Sequence, residues 1–234
     1  METPLALRRL REDCLLSVIR APDPALALAA AQAVAKGGLR LLEVTFTVPD
    51  APSVIRQLAG DPQVTVGAGT VLTAEQARAA LAAGAQFIVA PNFSREVAAI
   101  ALSAGVMYVP GALTTNEIVA AHAAGAHVIK VYPVGVVGGP HYIQIIREPL
   151  PHIPMLAAGG TSLDNLVPFL RAGCIGLGIG AAIADPALAA EGKFALITQR
   201  AKAFLQRLRE ARAIGQVAGA MAPPAGGGPE PGPA

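Results

Sequence analysis

His127-Val128-Ile129-Lys130-Val131-Tyr132-Pro133 reads as a short buried strand with one residue out of place. Val128, Ile129 and Val131 are β-branched and apolar, and Pro133 stops the run. Lys130 lies among them. Burying an ammonium group costs several kcal/mol unless it is paired or gives up its proton. A lysine here therefore either snorkels to solvent from a strand end or serves chemistry. A desolvated lysine loses its proton more readily and becomes a nucleophilic amine, which is what Schiff-base formation requires.

Working outward from this strand, the chain repeats one pattern: a strand-like run, then an alanine-rich helical run. Strands are expected at 15–20, 41–45, 64–68, 87–90, 107–109, 127–131, 155–157 and 175–179. The helices between them carry start signals: Asp23-Pro24, Thr73 with Gln76 as a capping box, Ser94, Thr114 or Thr115, and Ser162. Gly37-Gly38, Gly84, Gly105, Gly125 and Gly173 end them. A short helix over 140–146 and a long amphipathic one over 193–213 complete the set. Eight strand–helix units indicate a parallel sheet covered by helices. They favour closure into a single (β/α)8 TIM-type barrel over residues 1–212. An open doubly wound sheet is the alternative, and no GxGxxG follows the first strand to support it. From about residue 213 the composition turns to Ala, Gly and Pro, the signature of a disordered tail.

Composition narrows the function. The chain has 234 residues, 53% hydrophobic and 15% charged, enough apolar material for a large core. A net charge of +2, with basic residues scattered singly, gives no reason to expect nucleic acid. The N-terminal METPLALRRLRED is charged where a secretory signal needs its apolar centre. The longest uncharged apolar run, 172–184, is too short for a membrane helix and broken by glycines. Cys14 and Cys174 show no metal spacing and read as buried free thiols of a reducing cytoplasm. His122, His127, His141 and His152 stand apart in sequence with no zinc spacing, so no metal and no cofactor is expected.

In a parallel barrel the carboxyl ends of the strands share one mouth, where active sites form. Those ends carry Arg20, Glu43, Gly67-Ala68-Gly69-Thr70, Pro91-Asn92, Pro110-Gly111, Lys130, Gly159-Gly160 and Gly178–Gly180. Glu43, in Leu41-Leu42-Glu43-Val44, is a second charge inside an apolar strand. Brought together, Glu43 and Lys130 form either a structural ion pair or a general base beside an amine nucleophile. Arg20 is either a surface arginine or a fork for a carboxylate or phosphate. Gly159, Gly160 and Gly180 are either turn glycines or a backbone seat for an anion.

The segments LLEVTFTVPDA, VGAGTVLT, GAQFIVAPN, YVPGALTTNEI, VIKVYPVGVVGGPHYI and AAGGTSLDNL, taken in order, resemble the bacterial 2-keto-3-deoxy-6-phosphogluconate and 4-hydroxy-2-oxoglutarate aldolases. The resemblance covers about residues 14–205. It implies a metal-free class I aldolase that splits a 2-keto acid into pyruvate and an aldehyde, assembled as a homotrimer. It casts Lys130 as the Schiff-base lysine and Glu43 as the acid/base. Thr70 and Pro91 would line the pyruvate pocket, Tyr132 falls where the family often has a phenylalanine packed beside the imine, and Arg20 matches a "VIR"-type arginine. Three positions depart from the pattern. Thr47 stands where an arginine is usual, and Ala158 and Ala181 replace hydroxyl residues that would face a phosphate. Main-chain amides of Gly159, Gly160 and Gly180 would then form the main anion seat, with a relaxed demand for phosphate. Two rivals are a phosphosugar epimerase or synthase on the same barrel, and an anion-binding barrel without catalysis.

Overall fold

The protein, seen in a computed structural model, is described over residues 3–217. Helix α1 (Leu5–Asp13) precedes strand β1 (Leu15–Ile19). There follow α2 (Pro24–Lys36), β2 (Leu41–Thr45), α3 (Ala51–Ala59), β3 (Thr65–Gly69), α4 (Ala74–Ala82), β4 (Phe87–Val89), α5 (Arg95–Ser103) and β5 (Met107–Val109). The second half runs β6 (Gly111–Ala112), α6 (Thr115–Ala123), β7 (Ile129–Val131), a 3-10 turn (Val134–Val137), α7 (Pro140–Arg147), β8 (Met155–Ala158), α8 (Leu166–Arg171), β9 (Gly176–Ile179), α9 (Pro186–Ala190) and α10 (Phe194–Ala213). The tail expected from residue 213 lies, from residue 218 on, outside the described residues.

All strand pairs are parallel, in the order β5-β4-β3-β2-β1-β9-β8-β7-β6. The two ends of that order are halves of one strand interrupted at Pro110, which has no N–H to donate. On one side Ala90 N donates to Val109 O at 3.2 Å; on the other Lys130 N donates to Pro110 O at 2.8 Å. The sheet thus returns to its start, and the nine segments make the eight strands of a closed barrel.

Side chains alternate along each strand, so every strand feeds two cores. Leu15, Ile19, Leu42 and Val44 pack outward under the helices. Leu16, Val18, Leu41, Phe87, Val89, Met107, Val109, Val128 and Leu156 fill the barrel. Helix α1 closes the end where the strands begin. Its Ala6, Leu7 and Leu10, spaced to share one helix face, join the inner core. Gly176 makes room for this plug, since a Cβ there would lie 2.6 Å from Leu10 Cδ1.

The N-caps mostly fall where the sequence places them. Asp23 accepts from Leu26 N, Ser94 from Val97 N and Thr73 from Gln76 N. Two assignments change. Gln76 turns its side-chain oxygen to Leu72 N, so the reciprocal capping box lies at Thr114 and Glu117 instead. The helix expected from Ser162 begins only at Leu166, because Ser162 and Asn165 bond to each other's N–H groups and close a turn first. Helices α1 and α9 are additions. Among the described residues, no helix is long and apolar enough to cross a membrane.

Candidate active site

Residues 41, 43 and 45 share the inner face of β2, so Glu43 points into the barrel behind Leu41. By the same alternation Lys130 follows Val128 inward from β7. The two meet across the open end: Lys130 Nζ lies 4.0 Å from Glu43 Oε1, with side chains 7% and 1% exposed. That distance is too long for a direct hydrogen bond. Glu43 Oε1 is buried with no hydrogen-bond partner, although buried carboxylate oxygens are ordinarily satisfied. An oxygen lying off the line that joins them can reach both atoms at hydrogen-bond distance.

Neighbouring residues keep this carboxylate in place. A Cβ at Gly69 would overlap Glu43 Oε1, so any side chain there would displace the carboxylate. The next residue, Thr70, has φ +56°. A β-branched residue in the left-handed region is strained, and such strain gathers at functional sites. Thr45 on β2 donates to Ile19 O at 3.1 Å and shares a 2.7 Å hydrogen bond with Thr47. Thr47 accepts from Arg20 Nη1 at 3.4 Å. Arg20 is exposed at the mouth and meets no carboxylate among the described residues, so its charge is unspent.

Tyr132 follows β7. Its ring centroid lies 5.3 Å from Lys130 Nζ, in cation–π range. The same ring lies against the turn after β8, where a Cβ at Gly159 would come within 3.0 Å of it. Gly159 and Gly160 both have positive φ, and Gly135 N donates to Gly159 O at 2.8 Å. Cα of Gly135 would lie 2.8 Å from a Cβ on Gly160, so two backbones touch along this seam. The Thr161 hydroxyl is committed to Gly178 O at 2.7 Å, which ties the turn after β8 to the strand leading to Gly180. Ala158 is buried and Ala181 exposed, and neither supplies a hydroxyl.

Pro91 and Tyr132, together with Asn92, Gly111, Asn116 and Glu117, border a cleft of about 450 Å3 beside the mouth. Asn92 and Gly111 were expected at strand ends; Asn116 and Glu117, on α6, were missed by the sequence reading. It also missed Gly135 and the contact of Gly69 with Glu43. The alternating glycines of Gly67-Ala68-Gly69, on the inner face of a strand, were the available signal. The histidines are less isolated than their spacing suggests, since the rings of His122 and His152 meet edge-on at 5.6 Å. No group of three metal-binding side chains gathers among the described residues. Cys174 is buried, and burial pushes its thiol up to about 12, as suits a packing residue.

The family model described as "Aldolase: KDPG and KHG aldolase" matches residues 7–200. The chain belongs to the KDPG and KHG aldolase family. Members are aldolases, carbon–carbon lyases, and this barrel is an aldolase barrel. The 2-dehydro-3-deoxy-phosphogluconate aldolase of Treponema pallidum is 36% identical over 205 residues, 86% of this chain and 95% of that protein. The 2-dehydro-3-deoxy-6-phosphogalactonate aldolase of Escherichia coli is 34% identical over 84% of this chain and 95% of that one. Among solved structures, KDPG aldolase from Legionella pneumophila superposes with a TM-score of 0.78 at 26% identity, covering 84% of this chain and 96% of that one. That structure holds pyruvate captured at low pH as a covalent carbinolamine.

Proposed function

We propose that Lys130 is the amine nucleophile and Glu43 the acid/base of a class I aldol cleavage. The substrates are 4-hydroxy-2-oxoglutarate and 2-keto-3-deoxy-6-phosphogluconate, and the products are pyruvate with glyoxylate or glyceraldehyde 3-phosphate. The observation that carries this reading is the buried pair, 4.0 Å apart, with an unpartnered carboxylate oxygen facing the amine. A carbinolamine in the Legionella relative supports it, because that adduct is what an amine forms with the ketone of pyruvate.

In this reading the free amine of Lys130 adds to C2 of the keto acid. The carbinolamine hydroxyl leaves as water with a proton from the Glu43 carboxyl, giving an iminium. Tyr132, with its ring face toward Nζ, stabilises that cation. The C4 hydroxyl proton passes to the Glu43 carboxylate as the C3–C4 electron pair moves into the iminium. An aldehyde departs and an enamine remains. Protonation at C3 and addition of water release pyruvate and restore the amine. The unspent charge of Arg20 and main-chain groups at Thr70 hold the carboxylate, with Pro91 as a wall of the pocket. Backbone amides at Gly159, Gly160 and Gly180 receive an anionic tail. The enzyme works in the cytoplasm as a homotrimer, in keeping with two buried free thiols.

The test is borohydride trapping. Pyruvate plus borohydride should add a pyruvate-derived mass to the Lys130 peptide, and Lys130→Ala should abolish both label and turnover. Label on Lys36 or Lys193 instead would overturn the assignment. With Ala158 and Ala181 offering no hydroxyl, cleavage of the two substrates should agree within about tenfold, or ~1.4 kcal/mol. A preference of several orders of magnitude for the phosphorylated one would defeat that part.

A further inference from the structure

The cleft beside Tyr132 has a character of its own. Its volume, about 450 Å3, suits a small molecule, for which pockets of roughly 300–1,000 Å3 are usual. It opens between the turns after β4 and β6. A Cβ at Gly111 would overlap the Pro91 carbonyl, so the two turns stay in backbone contact at its base. Gly111 is the register partner of Lys130, which puts the cleft beside the strand that carries the amine. Tyr132 borders it too, with its ring 5.3 Å from Nζ. Gly159 lies against that same ring. Tyr132 thus divides the mouth, with the glycine turns on one side and the cleft on the other.

The two sides differ electrically. Among the described residues, no lysine, arginine or histidine lines the cleft. Its one charge is Glu117, whose carboxylate accepts from the N–H groups of Leu113 and Thr114 at 2.8 Å each. Those bonds hold it below the usual carboxylate range and keep it ionised. An incoming phosphate or carboxylate would face that negative charge inside the cleft, while the two cations beside it stand over lining rings, Arg95 at 6.0 Å from the Phe93 centroid and Lys130 at 5.3 Å from that of Tyr132. Neutral polar groups are available. The Asn116 amide and the Tyr132 hydroxyl have no hydrogen-bond partner among the described residues, and the Asn92 amide has only a 3.4 Å contact with Phe93 O. Donors and acceptors of this kind pair with hydroxyls.

We propose that this cleft is a second seat for the aldehyde half of the substrate, one that takes a neutral hydroxylated chain such as unphosphorylated glyceraldehyde. Anionic tails turn the other way, to the glycine turns after β8 and β9. This proposal rests on the reading of Lys130 as the amine.

The intact protein tests it in the direction of aldol addition, with pyruvate as donor. The quantity read is kcat/KM for glyceraldehyde divided by kcat/KM for glyceraldehyde 3-phosphate. Ala120 lies exposed on α6 at the cleft, so Ala120→Phe fills the space without entering the core. It should lower the ratio about tenfold, and Asn116→Ala should lower it several-fold. A ratio cancels any general loss of folded enzyme. If both variants stay within twofold of the parent, the cleft is not an acceptor seat. If the variants alter only the number of subunits, this face is a contact between copies and the proposal falls. Borohydride trapping with pyruvate alone, on the same preparations, separates the two failures. No label on Lys130 overturns the Lys130 reading; label with an unmoved ratio overturns only the cleft.

Discussion

Where the barrel strands begin, Leu7 and Leu10 of α1 seal an apolar interior; where they finish, a carboxylate and an amine face each other across a gap. At the sealed end most charged groups have partners, although Arg11 Nε and Arg212 Nε are buried without one. Arg40 clamps Asp13 through Nε at 3.0 Å and Nη2 at 2.7 Å and also reaches Glu12 at 3.2 Å. Arg9 of α1 bonds to the Thr65 hydroxyl and the Gln63 carbonyl. At the open end Glu43 Oε1 has no partner, Thr70 is strained and Arg20 keeps its charge free. Satisfied contacts stabilise, whereas unsatisfied ones are held ready for a ligand at a cost in stability. The difference assigns stability to one end and chemistry to the other, so substitutions at the two ends should separate cleanly.

The largest effect is expected at the open end. Glu43→Gln keeps shape and volume, and Oε1 makes no hydrogen bond that the amide would break. Folding should persist while turnover falls by about 100-fold or more, the scale of a lost general base. Stopped-flow or steady-state assays on the purified variant decide it. Near-normal turnover would reduce Glu43 to a structural residue and erase the contrast between the ends.

Next comes the sealed end. Leu10 is fully buried against Gly176 and the inner core. Leu10→Ala should lower unfolding free energy by roughly 2–5 kcal/mol through lost burial and a residual cavity. Urea melts measure the loss. Well below the melting transition, kcat per folded molecule should change less than twofold. A large drop in kcat with intact stability would mean that the plug transmits to the mouth.

Legibility in the sequence follows the range of the cause. The strand–helix alternation is local, carried by β-branched runs, caps and terminal glycines, and the barrel could be read from it. Lys130 and Glu43 were legible because a charge inside an apolar strand is a local anomaly. Alternation then put both side chains on inner faces. Helix α1 escaped notice because its Arg-rich face hid a three-residue apolar stripe, Ala6, Leu7 and Leu10. Closure through Pro110 was hidden because a proline ordinarily ends a strand; here each half pairs on a different side. The Gly69–Glu43 fit left one local trace, the alternating glycines at 67 and 69, but its partner lies on another strand. The seam between Gly135 and Gly160 and the cleft at Asn116 join residues far apart in sequence, and no local pattern encodes them.

The smallest effect concerns acid. His127 lies just before β7, at the sealed end, and its Nδ1 accepts from Tyr108 N at 3.2 Å. Burial holds the ring below the ordinary histidine value of 6.5, and protonating Nδ1 would also destroy that hydrogen bond. His122 is depressed in the same direction, by burial and by the nearby His152. The unfolded chain therefore takes up these protons first as pH falls. Their contribution to stability is complete above about 6.5 and is lost as pH drops through the folded-state values. For one proton the slope is at most ~1.4 kcal/mol per pH unit. His127→Gln offers an acceptor oxygen that does not titrate, so its stability should fall less steeply between pH 7 and 5 than the parent's. Some slope should remain from His122. Urea midpoints across that range are the measurement. Because both histidines sit away from the mouth, the pH dependence of kcat should stay as it is in the same variant. Equal slopes for variant and parent would show that His127 is not protonated on unfolding in this range, and a shifted kcat profile would tie the two ends together after all.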